Sequence, residues 1–305
     1  VYEKGWLLID DDVIAGIGAG SPPAAVTADK VIDASHMAVL PGIVDIHTHV
    51  CGSLFKGMTE DPDNGFYGLA MPMERLLTPG ATYDLSMLGC AECLTAGVTC
   101  INDIYHFMRD TARAVDDIGM RGVLAHKIIE TDLGKIQFGD YTRIPAEGHA
   151  RVEENVRLIE EYHGKKDGRI LCKFGPHATD TVSIELAKKI KDLGDKYGVG
   201  FHTHCGQKKQ EYDFLKSEYG LSPVEYLKET GLLGKNLVAA HCQHVNESDR
   251  KLLADSGTTF AFCAEMTAKR GSVTHLRESL HAGIHMASGT DWVTMDPWTN
   301  LRTMI

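Results

Sequence analysis

Hydrophobic and polar positions follow two alternating patterns from about residue 39 onward. Short runs rich in β-branched residues alternate with longer stretches in which apolar residues recur every three or four positions. Short runs of this kind are typical of strands, and the longer stretches of amphipathic helices. Eight strands are predicted, at residues 38–47, 98–104, 122–129, 170–174, 198–204, 237–241, 258–262 and 284–288. Helices are predicted between them, for example at 83–96, 150–163, 183–197, 247–256 and 273–282.

This alternation predicts the fold class. Eight strand–helix units within about 265 residues have the size and order of a (β/α)8 TIM barrel, for which roughly 250 residues is typical. Residues 1–37 differ, because apolar runs at 5–9 and 13–17 flank three aspartates and predict a β-hairpin. We expect 1–37 to form the N-terminal part of a small β-domain and 38–305 to form the catalytic barrel. The other strands of the small domain are expected beyond residue 305, in a longer protein.

Composition and charge narrow the classes of partner. The 305 residues include 31 Lys and Arg against 42 Asp and Glu, a formal charge of -11 at pH 7. An acidic surface repels phosphate backbones and anionic lipids, so nucleic-acid and membrane partners are not expected. No apolar run approaches the roughly 20 residues of a membrane-spanning helix, and the first residues lack the apolar region of a signal peptide. We therefore expect a cytoplasmic protein with a small-molecule substrate.

Two predicted connections after strands are unusually long. They cover residues 50–82 after the first strand and 130–148 after the third. Long loops on this face of a barrel are usually walls of an active site. The first loop contains Phe55 among several aromatic and methionine residues. These side chains either line an apolar substrate pocket, in which Phe55 would contact the substrate, or pack the loop onto the barrel rim.

Histidine and aspartate residues recur where the predicted barrel strands end. His47 and His49 lie two positions apart, and side chains two apart in a strand point to the same side. His204 ends the fifth strand, His241 ends the sixth, and Asp291 follows the eighth. Barrel enzymes keep their catalytic groups at these strand ends. The set therefore predicts a metal site at the mouth of the barrel.

Five segments of the chain, in order, resemble the amidohydrolase superfamily, in its cytosine/guanine deaminase and triazine hydrolase (chlorohydrolase) branch. They are Pro-Gly-Ile-Val-Asp-Ile-His-Thr-His at 41–49, Gly-Pro-His-Ala at 175–178, Phe-His-Thr-His at 201–204, Ala-His-Cys at 240–242 and Gly-Thr-Asp at 289–291. The resemblance implies one divalent metal ion, zinc or iron, held by His47, His49, His204 and Asp291. It also implies that His241 lies beside the bound water and that the small β-domain is built from both chain ends. By analogy, a homodimer is expected.

Such a donor set suits hydrolysis. Three neutral imidazoles and one carboxylate leave a divalent ion with net positive charge, so that bound water can lose a proton near neutral pH. Asp291 can accept that proton, and His241 can orient the attack or polarise the group attacked. The expected reaction is hydrolytic deamination of an amino-substituted nitrogen heterocycle, such as a purine, pterin, pyrimidine or triazine.

One position departs from the resemblance. Deaminases of this branch carry a proton-shuttling glutamate three residues after the ligand of strand 5, where this chain has Gln207. An amide can donate a hydrogen bond but cannot carry a proton at pH 7. Protonation then comes from His241, His177 or Glu211, or the leaving group, such as chloride, needs no proton. Alternatively Gln207 only binds substrate, a role that the resemblance also implies for His177.

Three other functions stay open beside a mononuclear deaminase. They are a triazine-type dehalogenase, a cyclic amidase of the same superfamily, and a metal-binding barrel that has lost catalysis. Lys173 keeps the second alternative open, because two-metal relatives bridge their ions with a carbamylated lysine on the fourth strand. His202 lies two positions before His204 and can face the same side.

Overall fold

The N-terminal region forms a β-hairpin. The structure is a computed structural model that describes residues 1–59, 64–272 and 275–304, and the chain divides into two compact units, Val1–Pro41 and Gly42–Ile305. In the first unit β1 (Gly5–Asp10) pairs in antiparallel fashion with β2 (Val13–Ala19). The predicted hairpin is thus confirmed.

Among the described residues of the second unit, eight parallel strands in chain order form one sheet. They are β3 (Ile43–Thr48), β4 (Val98–Tyr105), β5 (Arg121–Ile128), β6 (Ile170–Pro176), β7 (Phe201–Cys205), β8 (Leu237–His241), β9 (Thr259–Phe262) and β10 (His285–Ser288). The first and last strands approach each other at their C-terminal ends, where the Asp291 N–H donates to the His47 carbonyl at 2.9 Å. The sheet is a nearly closed barrel, so the predicted (β/α)8 fold class is confirmed.

Helices follow the strands, as the sequence pattern predicts. A short α1 (Met71–Glu74) lies in the long first loop. The others are α2 (Pro79–Thr95), α3 (Met108–Ile118), α4 (Pro145–Tyr162), α5 (Ile184–Tyr197), α6 (Lys209–Tyr219), α7 (Pro223–Glu229), α8 (Glu247–Ser256), α9 (Ala264–Lys269), α10 (Leu276–His281) and α11 (Pro297–Thr303). The core lies between sheet and helices, and includes Ile101 and Leu124 from strands and Leu158 and Leu253 from helices.

Several boundaries differ from the prediction for local reasons. The first barrel strand begins at Ile43 rather than at residue 38, because Pro41 has no N–H to donate to a strand ladder. Helix α2 begins at Pro79, four residues before its predicted start, since proline suits the first turn and Thr78 Oγ1 caps the Ala81 N–H. Of the helix predicted at 273–282, residues 273 and 274 lie outside the described residues.

Candidate active site

The C-terminal ends of the barrel strands bring together the five residues predicted to form the metal centre and its surroundings. His47 lies in β3 and His49 directly after it. His204 lies in β7, His241 ends β8, and Asp291 lies in the turn after β10. Each is at most 2% exposed. Residues more than 240 positions apart in the chain meet here because parallel strands end at one rim.

Donor atoms of three histidines lie close together, and the Asp291 carboxylate lies beside one of them. Ring nitrogens of His47, His49 and His204 lie within 4.8 Å of one another. His49 Nε2 is 3.3 Å from His204 Nε2 and 3.4 Å from Asp291 Oδ1. We call His47, His49, His204 and Asp291 the histidine–aspartate cluster. His241 Nε2 lies 3.7 Å from Asp291 Oδ2, on the other carboxylate oxygen.

Hydrogen bonds orient the three imidazoles of this cluster. His49 Nδ1 donates to the Ile104 carbonyl at 2.8 Å, and His204 Nδ1 donates to the His177 carbonyl at 2.6 Å. His47 Nδ1 is 2.8 Å from His202 Nε2, while His47 Nε2 has no hydrogen-bond partner among the described residues. A metal-binding histidine characteristically has one nitrogen held in this way and the other available to the ion. The residues present therefore fit a metal ion.

Burial favours the neutral form of three of the four histidines at this site. It lowers the pKa of His47, His204 and His241 well below the usual range, and neighbouring imidazoles lower it further. Neutral imidazole is the form that binds a metal ion. Three imidazoles and one carboxylate suit a divalent cation such as zinc.

Two of the five residues have strained backbones. His241 has φ 74° and Asp291 has φ 62°, and the neighbouring Cys242 has φ 43°. Left-handed conformations of non-glycine residues cost of order 1–3 kcal/mol and concentrate at functional sites. At Asp291 two backbone hydrogen bonds stabilise the conformation, because its N–H donates to His47 and its carbonyl accepts from His49.

Asp45 supports the cluster and was missed by the sequence analysis. Its carboxyl accepts hydrogen bonds from the Thr290 hydroxyl at 2.5 Å, the Thr290 N–H at 3.1 Å and the His47 N–H at 3.2 Å. Burial raises the pKa of Asp45 to about 7. These bonds tie β3 to the turn that carries Asp291. The signal in the sequence was an aspartate inside an apolar strand.

The three residues predicted to contact substrate are buried at different distances from the cluster. The His177 ring is 4.9 Å from the His204 ring, and its Nδ1 is 2.8 Å from Thr181 Oγ1. Gln207 is 2% exposed, and its side-chain Nε2 has no hydrogen-bond partner in the described part of the chain. Phe55 is fully buried against Trp292, with ring centroids 6.3 Å apart, and Trp292 in turn lies 5.6 Å from His49.

Glu211, one of the alternative proton carriers, anchors the turn that contains Gln207. Its carboxylate accepts from the Gly206 N–H at 2.9 Å, the Gln207 N–H at 2.7 Å and the Thr179 hydroxyl at 2.5 Å. Burial, together with the nearby Asp180, raises the pKa of Glu211 to about 7. Three donors therefore already occupy the group, which holds the Gln207 backbone in place.

Lys173 lies within β6 and is partly buried. Burial lowers the pKa of its amine to about 8, and its charge lowers the pKa of His202. Lys173 is thus close to the residue that orients His47.

A second buried polar cluster, also missed by the sequence analysis, lies among the strand-end loops. Lys127 Nζ is 2.6 and 2.9 Å from the two carboxylate oxygens of Glu74, and His106 Nε2 donates to Glu74 at 2.9 Å. Arg151 donates to His106 Nδ1 at 2.9 Å. We call these four residues the Glu74–Lys127 cluster. It borders a cavity of about 300 Å³ that is also lined by Arg75, Asp132 and Glu147.

This barrel, with its donors at the strand ends, belongs to the amidohydrolase family, whose model matches residues 38–305. The chain is 34% identical over 291 residues to a 5'-deoxyadenosine deaminase of Methanothermobacter thermautotrophicus. It is 32% identical over 293 residues to a 5-methylthioadenosine/S-adenosylhomocysteine deaminase of Syntrophomonas wolfei. The alignments cover 94% and 95% of this chain, which spans 65% of the length of each relative.

A solved structure supports the same relationship. The zinc-containing crystal structure of an adenosine deaminase from Xanthomonas campestris matches with a TM-score of 0.75 and 26% identity. The match covers 87% of this chain and 60% of that chain.

Within the described ranges, no helix combines the length and apolar character that crossing a membrane requires.

Proposed function

We propose that this chain is the catalytic barrel of a metal-dependent hydrolytic deaminase that acts on an amino-substituted nitrogen heterocycle. The observation that carries the proposal is the histidine–aspartate cluster at the strand ends of an amidohydrolase barrel. The two curated relatives are named for adenine-containing substrates, which favours a purine among the heterocycles. Residues 1–37 would belong to a small β-domain and residues 38–305 to the catalytic domain. A homodimer and a cytoplasmic location remain predictions.

His47, His49, His204 and Asp291 would hold one divalent cation. Their imidazole and carboxylate donors suit zinc, and the Xanthomonas campestris adenosine deaminase structure contains zinc. Such an ion supplies Lewis-acid activation of water. The proposed roles of the surrounding residues follow from where their polar atoms point.

Asp291 and His241 are placed to handle the protons of the reaction. The two carboxylate oxygens of Asp291 face different histidines. Oδ2 lies 3.7 Å from His241 Nε2, and Oδ1 lies 3.4 Å from His49 Nε2. Asp291 would accept the proton of the attacking water. His241, neutral because it is buried, would orient the group under attack by hydrogen bonding.

Gln207 would bind the heterocycle, because its buried Nε2 has no partner among the described residues and can donate to a ring nitrogen or oxygen. His177 would contact the substrate beside His204. Phe55 would pack behind Trp292 and so support the wall of the substrate pocket. Proton delivery to the leaving amine then falls to Asp291 or His241. Glu211 is occupied by three donors and would hold the Gln207 turn.

The amide at position 207 also favours a second candidate function, hydrolytic dehalogenation, since a chloride leaving group needs no proton. The test is a panel of assays on the zinc-loaded protein that records ammonia release from adenine nucleosides and free heterocyclic amines, chloride release from chlorinated triazines, and ring opening of cyclic amides. Ammonia release that disappears on chelation and returns with zinc is the expected result. Chloride release alone would select the dehalogenase, and turnover of cyclic amides alone would select the amidase.

Replacing Gln207 by Glu tests the role of the amide. If Gln207 binds substrate through its N–H donors, the Gln207→Glu variant should raise KM for the native substrate. A gain of deaminase activity with no prior native activity would instead indicate a barrel whose catalysis has lapsed. The Gln210→Glu variant, three positions further along the chain and in the first turn of α6, is the matched control.

A further inference from the structure

We propose that Lys208 and Arg270 form an anion-binding subsite beside the metal centre, and that the heterocyclic substrate carries a carboxylate or phosphate group. This inference rests on the proposed function, because it names a feature of the substrate at the same site. Neither the sequence pattern nor the family resemblance assigned a role to either residue.

The two cations lie on neighbouring loops at the rim of the barrel. Lys208 lies in the loop after β7, and Arg270 directly follows α9, the helix after β9. The loop after β8 joins the two regions, because the Gln243 N–H donates to the Gly206 carbonyl at 3.1 Å and its side chain donates to Thr267 Oγ1 at 2.7 Å. Both cations therefore lie at the end of the barrel that carries the histidine–aspartate cluster.

Arg270 reaches the aromatic wall of the proposed substrate site. Its guanidinium carbon lies 5.4 Å from the centre of the Phe66 ring and 5.7 Å from the centre of the Trp292 ring. These two rings are stacked, with centroids 5.4 Å apart, and the Trp292 ring lies 5.6 Å from the His49 ring. Contact with aromatic rings fixes the orientation of a guanidinium group, whose fork of N–H donors matches carboxylate and phosphate.

Lys208 is a half-buried cation. Among the described residues its ammonium group has no hydrogen bond or ion pair, whereas the next lysine, Lys209, is paired with Asp213 at 2.5 and 2.7 Å. Burial and the positive charge of Arg270 together lower the pKa of Lys208 to about 8. A cation held in this way is stabilised when an anion binds beside it.

The two cations act on the same part of the site. The charges of Arg270 and Lys208 both lower the pKa of His241, which lies beside Asp291. Like charges repel each other, so their convergence is unfavourable until an anion lies between them. Gln207 directly precedes Lys208, and the heterocycle that its buried amide would bind therefore lies next to the subsite.

The charge of the subsite and its position define the ligand. Lysine and arginine bind carboxylate and phosphate through charge-assisted hydrogen bonds. Arg270 and His49 lie against the same Trp292 ring, so the anionic group would be attached to the heterocycle directly or through a short link. Carboxylate and phosphate share this chemistry, and two sets of probes distinguish them.

Calorimetric titration of the zinc-loaded intact chain tests the subsite with analogues that lack the amino group and so are not deaminated. The carboxylate pair is pyrimidine-5-carboxylate and pyrimidine. The phosphate pair is purine riboside 5'-phosphate and purine riboside. In the wild-type protein the anionic member of at least one pair should bind about ten- to a hundredfold more tightly than its neutral counterpart. The pair that shows the preference identifies the group.

Variants assign this preference to the two cations. Lys208→Gln combined with Arg270→Gln should abolish it, with the Kd of the neutral member unchanged. Lys208→Gln alone, at a half-buried position, should lose part of it and decides the matter if the double variant does not fold. Lys209→Gln removes a neighbouring lysine that is paired with Asp213, and as the matched control it should keep the full preference.

The outcomes separate this inference from the proposed function. Equal affinities within both wild-type pairs overturn the subsite, as does a preference that persists unchanged in the Lys208 and double variants. Neither result affects the deaminase proposal, which ammonia release from neutral heterocyclic amines tests separately. A binding preference in a zinc-loaded protein that releases no ammonia from neutral or anionic amines would contradict the deaminase and keep the subsite.

Discussion

Two buried polar clusters in the same barrel differ in how their polar atoms are satisfied. In the Glu74–Lys127 cluster each carboxylate oxygen and both nitrogens of His106 have a protein partner. In and beside the histidine–aspartate cluster, by contrast, His47 Nε2 and both nitrogens of His241 have no hydrogen-bond partner in the described part of the chain. Buried atoms without partners are costly, so they mark a place built for something else to bind.

The pKa values of the ionisable groups also differ between the two clusters. Although burial opposes it, Lys127 and His106 hold the pKa of Glu74 well below its usual range, which is typical of a complete ion pair. Burial is the largest effect on His47, His204 and His241 and lowers the pKa of each, and neighbouring imidazoles lower it further. In the Glu74–Lys127 cluster the carboxylate is compensated by a protein cation. In the histidine–aspartate cluster burial favours neutral imidazole, which is the form that can bind a metal cation.

The largest effect should come from removing a proposed ligand. His204→Ala takes away a donor from the histidine–aspartate cluster, so we expect loss of bound metal and a fall in kcat/KM of roughly a thousandfold, since metal catalysis contributes several kcal/mol. Metal analysis and steady-state kinetics measure both. His285→Ala, at an exposed histidine on β10, is the control. Full metal content in His204→Ala would contradict the proposed centre.

Breaking the ion pair should affect stability and leave the metal in place. Lys127→Met leaves Glu74 buried without its main cation, and we expect a loss of about 3–5 kcal/mol in the free energy of unfolding. Chemical denaturation measures it. The double variant Glu74→Gln with Lys127→Met should recover most of the loss, because no uncompensated charge remains. Loss of metal in proportion to stability would show that the two clusters are not independent.

The next effect is a pH dependence of stability. The pKa of Glu211 is raised from 4.5 to about 7 in the folded chain, so the folded state binds this proton more tightly than the unfolded state. The stabilisation is present below pH 4.5 and is lost as pH rises through about 7, by at most roughly 3 kcal/mol. Denaturation of metal-free protein between pH 4.5 and 7.5 should show this decline. Asp45, whose pKa is also raised to about 7, contributes to the same decline, so Glu211→Gln should make the slope shallower without abolishing it. An unchanged slope would refute the assignment.

The smallest expected effect concerns the residue that orients His47. His202→Ala removes the 2.8 Å contact to His47 Nδ1, and loss of such an outer partner typically weakens metal affinity ten- to a hundredfold. Zinc competition assays compare this variant with His285→Ala. Equal affinities would mean that packing alone orients His47.

Most of the barrel could be predicted from the sequence because its signals are local. Apolar periodicity located all eight strands, with errors of a few residues where proline or a capping residue set the boundary. Sequence alone could also predict that five residues lie near one another, because each occurs at or just after a predicted strand end and strand ends meet in any such barrel. They are His47, His49, His204, His241 and Asp291.

What the tertiary structure alone decided is which side chains become partners. Glu74 and Lys127 are 53 positions apart in the chain, and His47 and His202 are 155 positions apart. No local sequence pattern predicts either contact. Burial likewise raised the pKa of Glu211. Periodicity records which face of an element is apolar, whereas desolvation and hydrogen bonding depend on what packs against that face once the barrel has closed.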